Sequence, residues 1–276
     1  MSSTNLTHDG HVLIIEFAEP ETRNTLSVDL MGEIADAFTA AANDDNVRVV
    51  ITTGAGSTYS AGGDLQRMSG TGAAKHSTWT GYGRYGMPPL TPQAKLLDQL
   101  GPGRWVEVLT RLDKPTIAAL NGSAAGGGLC LALLHDFRIA VPEAKFATAF
   151  MRIGVTPEMG MSYLLPRLIG WRAATDLLLR GRTVDAEEAA TLGMVDELAP
   201  SGAALTSALT LAHELAALPP LALRQTKSLL RRAQHTTFEQ HLLEENQVQQ
   251  RLFATEDHKE GVHAFLERRP PVFRGR

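Results

Sequence analysis

The sequence predicts an α/β core followed by a helical C-terminal third. Short β-branched runs alternate with helical patterns in the first part of the chain. Glycine-rich turns follow several of those runs, and from Tyr163 onward apolar residues recur almost entirely at helical spacing.

His11-Val12-Leu13-Ile14-Ile15-Glu16-Phe17 reads as the first strand, closed by Pro20. From Asp29 to Ala42, apolar residues at Leu30, Ile34, Ala37, Phe38 and Ala41 give a helix. Val47-Arg48-Val49-Val50-Ile51-Thr52 is a strand of the buried type and runs into Thr53-Gly54-Ala55-Gly56. Residues 70 to 103 are rich in Gly, Pro, Ser and Thr and read as a long surface excursion, of the kind that serves as a functional lid or a mobile segment. Thr116–Leu120 is a short strand ending at Asn121-Gly122, a helix starts near Gly127, and Phe137–Val141 is a strand before Pro142. Helices are then expected at Tyr163–Leu168, Arg172–Leu179, Ala186–Leu192, Gly202–Ala217, Pro220–Gln234, Thr236–Phe253 and Lys259–Glu267. No long internal repeat is evident. A core over residues 1–200 and a helical region over 201–276 are expected.

The 276 residues suit one large α/β domain. With 26 basic and 30 acidic residues the net charge is −4, which argues against nucleic-acid binding driven by bulk charge. Cys130 is the single cysteine, so no intramolecular disulfide or Cys-rich zinc site can form. No apolar run approaches the ~20 residues that span a bilayer. The N-terminus lacks the basic and apolar segments of a secretory signal. A cytoplasmic protein with no membrane partner is expected.

Two glycine-rich turns stand out. One is Ser60-Ala61-Gly62-Gly63-Asp64-Leu65, and the other runs from Asn121-Gly122 to Gly126-Gly127-Gly128. Neither these nor Gly54-Ala55-Gly56 match G-x-G-x-x-G, and no G-x-x-x-x-G-K-[ST] occurs, which disfavours a nucleotide site. Glycines also serve tight turns and close packing, and for Gly62 and Gly126 that suffices. Glycines opening a helix do more: the first N–H groups have no internal partner and the dipole favours negative charge. Two such N–H groups converging form an oxyanion hole, which stabilises charge developing on a carbonyl oxygen.

With these segments the chain resembles the crotonase superfamily, the enoyl-CoA hydratase/isomerase family, over nearly its whole length. Arg23-Asn24-Thr25-Leu26, Ser60-Ala61-Gly62-Gly63-Asp64-Leu65 and Lys114-Pro115-Thr116-Ile117-Ala118-Ala119-Leu120-Asn121-Gly122 are similar to family segments in order and spacing. Ala125-Gly126-Gly127-Gly128, Asp136-Phe137-Arg138-Ile139-Ala140, Pro157-Glu158-Met159-Gly160, Leu165-Pro166-Arg167, Gly181-Arg182 and Ala186 to Val195 continue the pattern. The resemblance implies a crotonase-like α/β fold of repeated ββα units with a helical C-terminal trimerisation region. It implies an acyl-CoA thioester substrate, no cofactor beyond the coenzyme A of that substrate, and a homotrimer or a hexamer built as a dimer of trimers. It assigns the oxyanion-hole N–H groups to Gly63 and Gly127, and contacts to the adenine and pantetheine to Leu26, Ala61, Asp64 and Leu65.

The chain departs from the family where hydratases hold two glutamates. By the resemblance those positions are Cys130 and Phe150, and neither is a carboxylate. Phe150 cannot transfer a proton. Cys130 is either a thiol activated near a helix N-terminus or a small buried side chain; both are expected to line the substrate pocket. Glu158 is the replacement base that the resemblance suggests. Thr156 is expected to cap a helix with Pro157 first and Glu158 in its first turn. There an acidic residue also complements the dipole, worth ~0.3–1 kcal/mol. A single carboxylate facing an oxyanion hole suits 3,2-enoyl-CoA isomerisation; hydration by Glu158 and water, or acyl-CoA binding without catalysis, are the alternatives.

Other residues are weighed beside these. His76, Tyr82 and Tyr85 lie in the excursion, as pocket lining or loop decoration. Asp136 and Arg138 are expected to make structural contacts. His135 and His241 lack metal-ligand spacing, and no metal is expected. Arg268, Arg269, Arg274 and Arg276 form a basic cluster that meets CoA phosphates or a solvated tail.

Overall fold

The computed structural model describes residues 2–65, 69 and 104–276. The excursion over residues 70–103, with His76, Tyr82 and Tyr85, lies outside the described residues.

β1 (Thr4–Asp9) and β2 (Val12–Phe17) pair as an antiparallel hairpin. β1 is exposed along nearly its whole length, so it carries no apolar alternation to read. α1 (Val28–Asn43) starts at Ser27, whose hydroxyl accepts from the Leu30 N–H at 3.1 Å. It buries Leu30, Ile34, Ala37, Phe38 and Ala41. β3 (Val49–Gly54), which is wholly buried, and β4 (Thr58–Ser60) follow. Next come α2 (Arg104–Arg111), β5 (Thr116–Leu120), β6 (Ser123–Ala125) and α3 (Gly127–Leu133). β7 (Phe137–Ala140) and β8 (Lys145–Ala147) lead through a 3₁₀ turn, Phe150–Ile153, to α4 (Met161–Arg180). α4 breaks at Gly170, where φ is 78° and ψ 158°, so the two helices expected on either side of residue 170 are both present. β9 (Thr183–Asp185), α5 (Ala186–Leu192) and β10 (Glu197–Leu198) complete this part of the chain. The rest is helical: α6 (Ala204–Ala216), α7 (Pro220–Ala233), α8 (Phe238–Phe253) and α9 (Glu256–Glu267).

Two sheets organise these strands, one in the order β1-β2-β3-β5-β7-β10 and one in the order β4-β6-β8-β9. Each of β3, β5 and β7 in the large sheet is followed by β4, β6 and β8 in the small one. The ββ step therefore repeats in space although the sequence does not repeat. β4, β6 and β8 run parallel to one another. α6 lies against the large sheet, where Ala204, Ala208, Ala212 and Ala216 are buried and allow close approach.

A neutral hydrogen-bonded chain crosses the core. The Leu131 carbonyl can only accept, so at 2.8 Å it fixes the proton of His135 on Nδ1. His135 Nε2 then accepts from the Thr52 hydroxyl at 2.9 Å, and Thr52 accepts from the Tyr59 hydroxyl at 2.8 Å. Burial holds the His135 pKa down at about 4. Asp136 and Arg138 make the structural contacts expected of them. Asp136 accepts from the Thr116 N–H at 2.8 Å and pairs with Lys227 at 2.5 Å, while Arg138 pairs with Asp196 at 2.7 Å.

Candidate active site

Strand pairing brings the glycine turns together. β4 runs parallel to β6, with Ser60 opposite Ala124, and β6 runs parallel to β8, with Ala125 opposite Ala147. Parallel neighbours end on the same side. The segments leaving β4, β6 and β8 therefore emerge side by side: Gly62-Gly63, Gly126-Gly127 and Ala149-Phe150. A Cβ on Gly62 would lie 2.3 Å from the Ala125 carbonyl oxygen and 2.9 Å from the Gly127 nitrogen. Gly62 also has φ of +83°, so geometry and space both demand glycine there. Gly128 packs α3 onto β4: a Cβ there would lie 2.5 Å from the Ser60 carbonyl oxygen. Among the described residues, neither the Gly63 nor the Gly127 N–H donates to a protein acceptor. Two donors at one place and without internal partners suit an oxygen that gains negative charge.

The first of these turns is held from below by Arg23-Asn24-Thr25-Leu26. The Ala61 N–H donates to the Arg23 carbonyl at 2.9 Å, and the Leu26 N–H donates to the Gly62 carbonyl at 2.8 Å. Asn24 is fully buried at φ 52°, and its Nδ2 donates to the carbonyls of Ala55 and Thr58. The Ser60 hydroxyl donates to the Asn24 carbonyl at 2.7 Å and accepts from the Gly62 N–H at 3.2 Å. Leu26, Ala61, Asp64 and Leu65 thus lie on one continuous strip that leads to Gly63. Leu26 is buried, Ala61 and Asp64 are half-buried, and Leu65 is exposed.

Cys130 and Phe150 both flank this place and both are buried. Burial first, and the charge of Glu158 second, push the Cys130 thiol well above its ordinary pKa. This corrects the activated-thiol alternative: Cys130 is a neutral thiol. Its Sγ donates to the Glu158 carbonyl at 3.4 Å.

The expected helix start is also corrected. Thr156, Pro157 and Glu158 precede α4, which begins only after Gly160. Met159 and Gly160 have φ of 51° and 81°, and the Met161 N–H donates to the Glu158 carbonyl at 3.0 Å. Two consecutive left-handed residues make a tight turn and cannot continue a helix. Glu158 therefore sits at the start of this turn, half-buried, and does not serve as a first-turn dipole partner. Met159, at φ 51°, was not singled out from the sequence. A methionine carries no turn signature that would reveal it.

The remaining candidates lie elsewhere. His135 belongs to the core chain already described. His241 faces Glu244 and Glu245 at 3.9 and 3.6 Å. Among the described residues, no group of three or more His, Cys, Asp or Glu side chains is placed to hold a metal. The basic C-terminal cluster is tied to the chain itself. Arg269 pairs with Glu260 at 2.6 Å and Arg276 with Glu256 at 2.8 Å. The Arg274 and Gly275 N–H groups donate to the Asp257 carboxylate. The tail is anchored through these contacts, while its residues other than Phe273 and Gly275 stay exposed to solvent.

A mixed fold of stepped ββ units brings the Gly63 and Gly127 N–H groups to neighbouring strand ends, an arrangement suited to charge on a carbonyl oxygen. The sequence model of the enoyl-CoA hydratase/isomerase family matches residues 7–85 and 95–276, and the chain belongs to this family, within the crotonase superfamily. It is 34% identical over 276 residues to 2,3-dehydroadipyl-CoA hydratase of Escherichia coli K12, covering 100% of both chains. An enoyl-CoA hydratase of Bacillus anthracis superposes with a TM-score of 0.85 at 30% identity, over 99% of this chain and 100% of that one. One from Polaromonas sp. JS666 does so with a TM-score of 0.85 at 32% identity, over 98% and 99%. Among the described residues, no helix is long and apolar enough to cross a membrane.

Proposed function

We propose that this chain is a 3,2-enoyl-CoA isomerase that uses Glu158 as its single base, with no cofactor beyond the coenzyme A of its substrate. The observation that carries the reading is the chemistry around Gly127. Cys130 is a buried neutral thiol and Phe150 is a buried ring, whereas Glu158 is a carboxylate whose charge reaches Cys130 on the helix that Gly127 opens. A 3-enoyl thioester has acidic C2 protons between its carbonyl and its alkene. Glu158 removes one, and the Gly63 and Gly127 N–H groups receive the charge on the dienolate oxygen. The same carboxylic acid returns the proton at C4, and the double bond moves from C3 to C2.

The second reading is hydration of a 2-enoyl thioester by Glu158 and water. The names of the relatives favour it, since those cited are hydratases. A paired turnover assay with matched 3-enoyl-CoA and 2-enoyl-CoA across several chain lengths separates the two. Conversion of the 3-enoyl substrate without hydration of the 2-enoyl one is expected. Hydration as the faster reaction transfers the proposal to the second reading. Silence on both, with acyl-CoA still bound, leaves a different enolate reaction or a site that only binds.

The helical C-terminal region supports self-association as a homotrimer or a dimer of trimers. Phe238, Leu243, Phe265 and Leu266 are each at least 65% exposed. Leu252, Phe253, Val262, Phe265 and Phe273 line a groove of about 490 Å³. Surfaces this apolar mark association sites. Sedimentation at micromolar concentration is expected to give a trimer or a hexamer; a monomer overturns this expectation.

A further inference from the structure

Met159 stands in a conformation that residues with side chains avoid. Its φ is 51°, and it shares a tight turn with Glu158, closed by the Met161 N–H. Such backbone persists only where the surroundings over-determine it. Here the surroundings include Gly127. A Cβ on Gly127 would lie 2.7 Å from Met159 Cε and 2.9 Å from Leu26 Cδ1, so these two side chains occupy the space that Gly127 leaves open.

Leu26 and Met159 thus pack on Gly127 from two separate segments, and Cys130 reaches the same turn through the Glu158 carbonyl; all three side chains are buried. A water needs two to four polar partners to be held in place; these side chains offer no strong one, which leaves only the Glu158 carboxylate and the two glycine N–H groups that the bound thioester engages.

We infer that Met159 is a specificity-determining residue: its thioether keeps water from the dienolate, so that the proton taken from C2 goes to C4 and not to solvent. This inference rests on the isomerase reading of the same site. The proton balance is closed. Glu158 gains the C2 proton as the C2–H bond breaks, and loses it as the C4–H bond forms. Water that reaches the carboxylic acid first exchanges that proton, and water that reaches C3 of the product adds across the new double bond. A flexible unbranched thioether fills an irregular gap of this kind without offering a hydrogen bond of consequence.

The test is isomerisation of 3-enoyl-CoA in D₂O, with deuterium in the product read by mass spectrometry. Wild type, Met159→Gly, Met159→Ala and Met159→Leu are compared. Glycine accepts a left-handed φ freely, so Met159→Gly relieves the turn while it opens the wall. Wild type and Met159→Leu are expected to retain the substrate proton, whereas the Gly and Ala variants take up deuterium. Their hydration-to-isomerisation ratio is expected to rise about tenfold or more, the scale on which an apolar pocket distinguishes one methylene group. Folded Gly and Ala variants that retain the proton as wild type does would overturn the inference. So would a leucine variant that exchanges as fast as the glycine one. Should wild type bind acyl-CoA without isomerising, the functional reading fails by itself. The inference is then decided by exchange of the C2 protons of a saturated acyl-CoA in D₂O. Faster exchange in Met159→Gly than in wild type upholds the water-excluding role of Met159 apart from delivery to C4, and equal or absent exchange overturns it.

Discussion

Glu158→Gln is expected to lower turnover of 3-enoyl-CoA at least ~10²-fold, the scale of general acid–base catalysis. Glutamine keeps the shape and hydrogen-bonding reach of the side chain but cannot carry the proton between C2 and C4. The turn that holds residue 158 is closed through its backbone carbonyl, which accepts from the Met161 N–H and from Cys130 Sγ, so the substitution leaves those contacts in place. The loss should therefore fall on kcat, while the Kd for a saturated acyl-CoA stays within a few-fold of wild type. Stopped-flow turnover beside calorimetric titration of the saturated thioester measures the two separately. A variant with unchanged turnover removes Glu158 from the mechanism. One that loses binding and rate together makes Glu158 a contributor to substrate affinity.

Acid should destabilise the fold through His135. The ring is neutral in the native state with a pKa of about 4, whereas an unfolded histidine has its ordinary value of 6.5. Below pH 6.5 the unfolded chain therefore takes up a proton that the native chain refuses, and stability falls as the pH is lowered. The contribution is fully present above 6.5 and is exhausted near 4. Its size is about 3 kcal/mol on an order-of-magnitude basis, from the free-energy value of a pKa shift. Burial is the main cause, with the nearby Lys227 and Arg138 charges acting in the same direction. Urea unfolding of wild type and His135→Gln at pH 7, 5.5 and 4.5 isolates the effect, because the carboxylates that also titrate are common to both proteins. The variant is expected to lose less stability on acidification. Parallel pH dependence in the two proteins would remove His135 as the cause.

Much of the large sheet was legible because its strands are long enough to show a pattern. β3 and β5 carry unbroken β-branched and small apolar runs, and α1 shows its buried face at regular spacing. The small sheet was not legible. β4, β6 and β8 have three residues each, too few for any period to emerge, yet their pairing brings the glycine turns together. The turns themselves were visible as glycine-rich segments, and the family resemblance supplied the roles of Gly63 and Gly127. Met159 escaped because its left-handed backbone is imposed by packing and has no local signature. A small buried thiol was one of the two readings Cys130 allowed, and its burial decides for it.

The parallel pairing of β4 with β6 has a consequence for how the site comes into being. Its two amide donors belong to segments that meet only when distant parts of the chain have found each other, and loop closure of that kind carries an entropic cost before any contact repays it. Helices form early and locally, whereas this junction completes only with the sheet. The junction is thus a gauge of finished assembly: a partly melted chain that keeps its helices has no place where the Gly63 and Gly127 N–H groups stand together.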